Sequence, residues 1–93
     1  GGVVDDLIVY CVEKERDYLV CVNAANADKD WQWFQAHNRG ADLKNESAEW
    51  GQIAVQGPRA VEHMALLFGE QVKSILTFQF APISFEGGLC YFA

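Results

Sequence analysis

With 93 residues, 51% of them hydrophobic and 22% charged, the chain has the length of one small domain and the composition of a folded one, which excludes intrinsic disorder. Thirteen acidic against seven basic residues give a net charge of −6, opposing the counterion release on which binding to nucleic acid and anionic membranes depends. The longest apolar run, Leu7 to Val12, falls far short of the roughly 20 residues of a membrane-spanning helix, and no secretory signal pattern is visible.

The stretch Asp6 to Val12 is rich in β-formers on both faces, with Leu7, Val9 and Cys11 on one side and Ile8, Tyr10 and Val12 on the other. It predicts a strand buried on both faces. A charged break, Glu13 to Asp17, separates it from Tyr18 to Asn23, and two such runs joined so closely predict an antiparallel hairpin. The break contains neither Asn-Gly nor Asp-Gly, so its turn type stays open.

From Asn26 the period changes. Asn26 is a candidate N-cap, Asp28 and Asp30 sit where the helix dipole favours anions, and Ala27, Trp31 and Phe34 recur at helical spacing. The helix is expected to end near Gly40 in a left-handed cap. Trp50 to Gln56 alternates as a strand does. Gly57-Pro58 then predicts a helix start with proline in its first position, followed by a stripe of Val61, Met64, Ala65 and Phe68 that stops at Gly69. Pro82 demotes part of Phe78 to Phe85 to a loop or an edge strand, and Gly87-Gly88 predicts a hairpin turn before Leu89 to Phe92.

The order ββαββαββ predicts an α+β fold with mainly antiparallel pairing, in a single domain over residues 1–93. Both ends run abruptly into apolar strands, as in a piece excised from a longer chain.

Three cysteines, odd in number and without CxxC spacing, argue against a disulfide framework and a zinc ribbon and predict reduced thiols in a cytosol-like compartment. His37 and His63 lack metal-ligand context, so no metal site is expected, and no cysteine or serine is recognisably paired with a base. Gln56-Gly57-Pro58 is turn chemistry, since one glycine without a following lysine makes no phosphate cradle. Trp31 is expected in the core, and Trp33, off the stripe, at an exposed or interface position. Asp5 and Asp6 should point to opposite faces, which rules out a paired-carboxylate mechanism. Two readings stay open for them. Both are solvated residues at a strand start, or one is partly desolvated, with its pKa raised above the reference of ~3.9, and handles a proton. Asn23 is either a turn residue or an amide presenting donor and acceptor to a flat heteroaromatic ligand.

Gly1-Gly2-Val3-Val4-Asp5-Asp6-Leu7-Ile8-Val9-Tyr10 resembles the aminomethyltransferase family, the T-protein of the glycine cleavage system. Val22 to Asp30 and Ala54 to Ala60 resemble it too, in the same order and spacing. The resemblance implies an interior segment of the folate-binding region of a longer, three-domain enzyme. That enzyme passes the aminomethyl carbon carried by the lipoyl H-protein to tetrahydrofolate and releases ammonia. It implies that Asp6 is the key catalytic carboxylate and also touches the folate, that Asn23 contacts the pterin, and that Cys21 occupies a wall position that is commonly valine. The family's later glycine-rich motif, its pterin-binding glutamate and its ligand-holding arginines are expected beyond Ala93, so the isolated chain should be inactive. The compartment implied is the cytoplasm in a bacterium and the mitochondrial matrix in a eukaryote. Related folate domains of sarcosine and dimethylglycine oxidases and of a sulfonium demethylase are the alternative, as is a non-enzymatic folate-binding protein of iron–sulfur maintenance. The Lys-Gly-Cys-Tyr motif expected of that last group does not occur here.

Overall fold

Two antiparallel hairpins and two helices make up the α+β architecture of the computed structural model, which describes all residues 1–93. The chain divides into two compact units, Gly1–Gln52 and Ile53–Ala93.

In the first unit, β1 (Ile8–Glu13) pairs antiparallel with β2 (Asp17–Cys21), as the two apolar runs predict. The register runs from Ile8 opposite Cys21 to Cys11 opposite Tyr18, and its one irregularity lies between Cys11 and Glu13, at the turn end. The Arg16 amide closes the turn by donating to the Glu13 carbonyl at 3.0 Å. The expected burial of β1 on both faces is corrected: Ile8 and Val9, on opposite faces, are each 55% exposed. The sheet has only two strands, and β-branched residues satisfy strand geometry without any second layer covering them.

A 3-10 turn, Ala24–Asn26, leads into α1 (Ala27–His37). Asn26 does not cap it, because its side chain is drawn toward the N-terminal segment, where Nδ2 donates to Asp5 Oδ2 at 2.9 Å. The helix also stops short of the predicted end. Asn38 leaves the helical region, and its Oδ1 accepts from the amides of Gly40 and Ala41 at 3.2 and 2.9 Å, so a side-chain turn terminates α1 before Gly40 is reached. Trp31 and Phe34 are half-buried, while Trp33 is exposed and stacks on His37 with ring centroids 4.2 Å apart.

In the second unit, residues 53–56 are irregular, and so are residues 50–52 of the first unit. The predicted strand is absent because no neighbouring segment supplies a ladder for it. Neither of the two middle strands of the predicted ββαββαββ forms, and the order is ββααββ. Pro58 occupies a turn closed by Ala60 N–H to Gly57 O at 3.1 Å, and α2 (Ala60–Phe68) begins two residues later than the proline signal predicts. Gly69, at φ 94°, ends α2 as predicted, its amide donating to Ala65 O at 2.9 Å. Of the predicted stripe, Ala65 is buried and Met64 and Phe68 are half-buried, but Val61 is 55% exposed.

β3 (Ala81–Phe85) and β4 (Gly88–Phe92) form the second hairpin, and Pro82 is tolerated because each strand of a two-stranded sheet has a free edge. Ala65, Val72 and Ile83 are this unit's buried hydrophobic residues, and the Phe68 ring packs on Phe85 and Phe92 at 4.5 and 4.8 Å. Phe85 faces Gly88, so the turn residues are Glu86 and Gly87 rather than Gly87 and Gly88. Both have positive φ, 48° and 78°, as a type I′ turn requires. A glutamate in that region is strained where asparagine is tolerated. Glu86→Asn is expected to stabilise the 93-residue chain by roughly 0.5–1 kcal/mol, seen as a raised Tm; a lowered Tm counts against the turn assignment.

Candidate functional site

Antiparallel register builds the site. Extending the β1–β2 pairing two residues past Ile8 and Cys21 sets Asp6 opposite Asn23, and the irregularity at Cys11 is too far away to disturb it. Asn23 Nδ2 lies 3.0 Å from the Asp6 carbonyl oxygen and 3.3 Å from Asp6 Oδ1. These two residues, with Ile8, Cys21 and Gln52, rim a hollow of about 270 Å³. The Cys21 thiol donates to Gln52 Oε1 across 3.1 Å, so Cys21 stands in the wall of that hollow. The three residues singled out in the sequence are thus brought together.

Asp5 and Asp6 line different hollows, as strand alternation predicts, although both precede β1. Asp5 is nevertheless more than a solvated strand-start residue. Its Oδ1 accepts from the Asp6 amide at 2.9 Å and from Asn23 Nδ2 at 3.1 Å, and its Oδ2 accepts from Asn26. Hydrogen bonds, that of Asn26 foremost, hold the Asp5 carboxyl below the usual aspartate range despite some desolvation. The carboxyl that burial pushes up is Asp30, with Asp5 beside it adding to the rise and Lys29 opposing it. Asp6 itself is exposed, so the carboxylate at the first hollow is open to a ligand.

Gln52 and Asp30 were not legible in the sequence as neighbours of this site. Gln52 sits in the stretch that predicted a strand, where no chemical signal marks it, and Asp30 matched the simpler pattern of an acid in a helix's first turn. Geometrically, the first hollow offers a carboxylate, a carboxamide and apolar wall to a flat, hydrogen-bonding ligand. No lysine or arginine lines it, so an anionic group finds no counter-charge there.

The chain belongs to the GCVT N-terminal domain family, whose model matches residues 1–90. It is 52% identical over 87 residues to the aminomethyltransferase of Bdellovibrio bacteriovorus, an alignment covering 94% of this chain and 24% of that protein. It is also 47% identical over 88 residues to the aminomethyltransferase of Bacteroides thetaiotaomicron, with the same coverage. The aminomethyltransferase of Natranaerobius thermophilus is 47% identical over 81 residues, covering 86% of this chain and 22% of that protein. The chain thus spans about a quarter of the length of these curated relatives. No solved structure matches it.

Proposed function

We propose that this chain is a segment of the folate-binding domain of a tetrahydrofolate-dependent aminomethyltransferase of the glycine cleavage system, acting in the cytoplasm of a bacterium or the mitochondrial matrix of a eukaryote. The observation that carries the reading is the seating of Asn23 Nδ2 3.3 Å from the Asp6 carboxylate at the rim of one hollow, in a chain 52% identical to a protein named aminomethyltransferase. The reaction breaks the C–S and C–N bonds of the aminomethyl group carried on the lipoyl sulfur of the H-protein and bonds its carbon to two nitrogens of tetrahydrofolate as a methylene bridge. The lipoyl sulfur leaves as a thiol, the amine leaves as ammonia, and the two folate N–H protons go to these leaving groups. Asp6 orients the folate amine and exchanges a proton with it, a role that suits an exposed carboxylate at a pocket mouth. Asn23 meets the hydrogen-bonding edge of the pterin, and Cys21, held by Gln52, supplies apolar wall. The cationic groups for an anionic folate tail are supplied by other parts of the full-length protein, since none lines this hollow.

The test has two arms. The full-length protein, given aminomethyl-loaded H-protein and tetrahydrofolate, should release ammonia. Activity on methylated amines or sulfonium compounds in its place moves the protein to the demethylating relatives. The 93-residue chain alone should not bind tetrahydrofolate at micromolar concentration. Its hollow of about 270 Å³ is open and lies below the ~300–1,000 Å³ of pockets that enclose drug-sized ligands. Micromolar binding of the isolated chain by titration calorimetry counts against the need for walls from elsewhere in the protein.

A further inference from the structure

Asp30 is the one buried polar side chain of the molecule, 2% exposed, and neither of its carboxyl oxygens has a hydrogen-bond donor. A buried carboxyl is costly unless it is satisfied. The groups that face it are few. Asp5, in the N-terminal segment, lines the same hollow as Asp30, and Lys29 of its own helix stands 3.7 Å from Oδ1, beyond hydrogen-bonding distance, with its ammonium already donating to the Val4 carbonyl at 2.7 Å. The remaining wall of the second hollow, Val4, Leu7, Trp33 and Phe34, is uncharged.

Asp5 has the complementary deficit. A carboxylate offers about four lone-pair sites, and three are filled by Asn26 Nδ2, Asn23 Nδ2 and the Asp6 amide. Two ionised carboxylates in contact only repel, whereas a carboxyl O–H directed at a carboxylate satisfies both groups at once. Asn23 makes this arrangement matter for the first hollow. Its amide has two N–H bonds and three oxygens within reach, Asp5 Oδ1 at 3.1 Å, Asp6 O at 3.0 Å and Asp6 Oδ1 at 3.3 Å. Where Asp5 sits therefore decides how Asn23 divides its hydrogens with Asp6.

We propose that Asp30 is a positioning residue for the Asp6–Asn23 pair, acting through a carboxyl–carboxylate hydrogen bond to Asp5. This inference rests on the roles given to Asp6 and Asn23 above. The pair keeps one proton over an intermediate pH window. Asp5, held low, loses its contribution as pH falls through its lowered value; Asp30, held high, loses its own as pH rises through its raised value. At the alkaline end Asp30 ionises beside Asp5, and the two repel.

The experiment compares Asp30→Asn and Asp30→Leu in the full-length protein. The asparagine amide can donate as the carboxyl does but cannot ionise, so Asp30→Asn should keep kcat within about threefold and abolish the alkaline decline that Asp30 causes. Leucine removes the donor, and kcat should fall about tenfold or more, with a smaller change in KM for tetrahydrofolate, because misplacing a catalytic group costs mainly the chemical step. The side-chain amide resonances of Asn23 should shift in Asp30→Leu and stay in place in Asp30→Asn. A folded Asp30→Leu protein with normal kcat, or with unmoved Asn23 resonances, overturns the proposal, as does an Asp30→Asn protein as impaired as Asp30→Leu. If Asp30→Leu does not fold, Asp30→Asn decides: loss of the alkaline decline supports the proposal and an unchanged decline overturns it. The resonances need no turnover, so the Asp30–Asp5–Asn23 linkage is tested separately from the aminomethyltransferase reading, which fails on its own if the full-length protein releases no ammonia from aminomethyl-loaded H-protein and tetrahydrofolate.

Discussion

Replacing Asp6 by asparagine in the full-length protein is expected to lower kcat by at least about 100-fold, with a smaller change in folate affinity. General acid–base catalysis and charge stabilisation are each typically worth ~10²–10⁴-fold. Asparagine keeps the shape and some hydrogen bonding while removing the anion and its basicity. The loss therefore falls on the step in which charge moves, not on binding. Strand alternation makes Asp5→Asn the natural control, but the structure disqualifies it, because Asp5 accepts hydrogen bonds from Asn23, Asn26 and the Asp6 amide. Asp28→Asn serves instead: that residue is exposed on α1 and lines neither hollow. Steady-state kinetics of both variants, with folding verified by circular dichroism, decide the matter. A folded Asp6→Asn protein with near-normal kcat leaves Asp6 no catalytic role.

The second large effect is on stability. Ile83 is 6% exposed and is one of the three buried hydrophobic residues, so little else is available to fill the space it vacates. Ile83→Ala is expected to destabilise the 93-residue chain by about 2–4 kcal/mol, combining lost transfer free energy with the cavity left behind. Leu67→Ala is the comparison, for Leu67 is 65% exposed, and surface changes typically stay within about 0.5 kcal/mol. Urea denaturation of the two variants gives the result. Equal losses would mean that Leu67 is covered in solution and that the core extends beyond the three buried residues.

Local elements were largely legible. The β1–β2 hairpin follows from two β-branched runs separated by charge, α1 and α2 from apolar spacing, and the end of α2 from Gly69. The misses have different causes, each a partner gained or lacking that the local pattern does not specify. Asn26 has the chemistry of a helix cap, yet its amide goes to Asp5, 21 residues away. Residues 50–56 alternate like a strand but have no ladder to join. At Glu86-Gly87, the register of the strands displaced the turn by one residue from the glycine pair that signals it.

For the site, pairing across a two-stranded ladder follows from the pattern of the strands, so the residue order alone puts Asp6 and Asn23 at the same end of one hairpin. The resemblance at Gly1 to Tyr10 and at Val22 to Asp30 marked both as the residues to watch. The company they keep comes from packing between elements. Gln52 reaches Cys21 across 31 positions, and helix α1 buries Asp30 in the wall of the hollow that Asp5 also lines, in a setting with no donor of its own. Side-chain periodicity encodes which face a residue takes within its own element. It carries nothing about which side chain from another element comes to meet it, and the protonation of a buried carboxyl depends on that meeting.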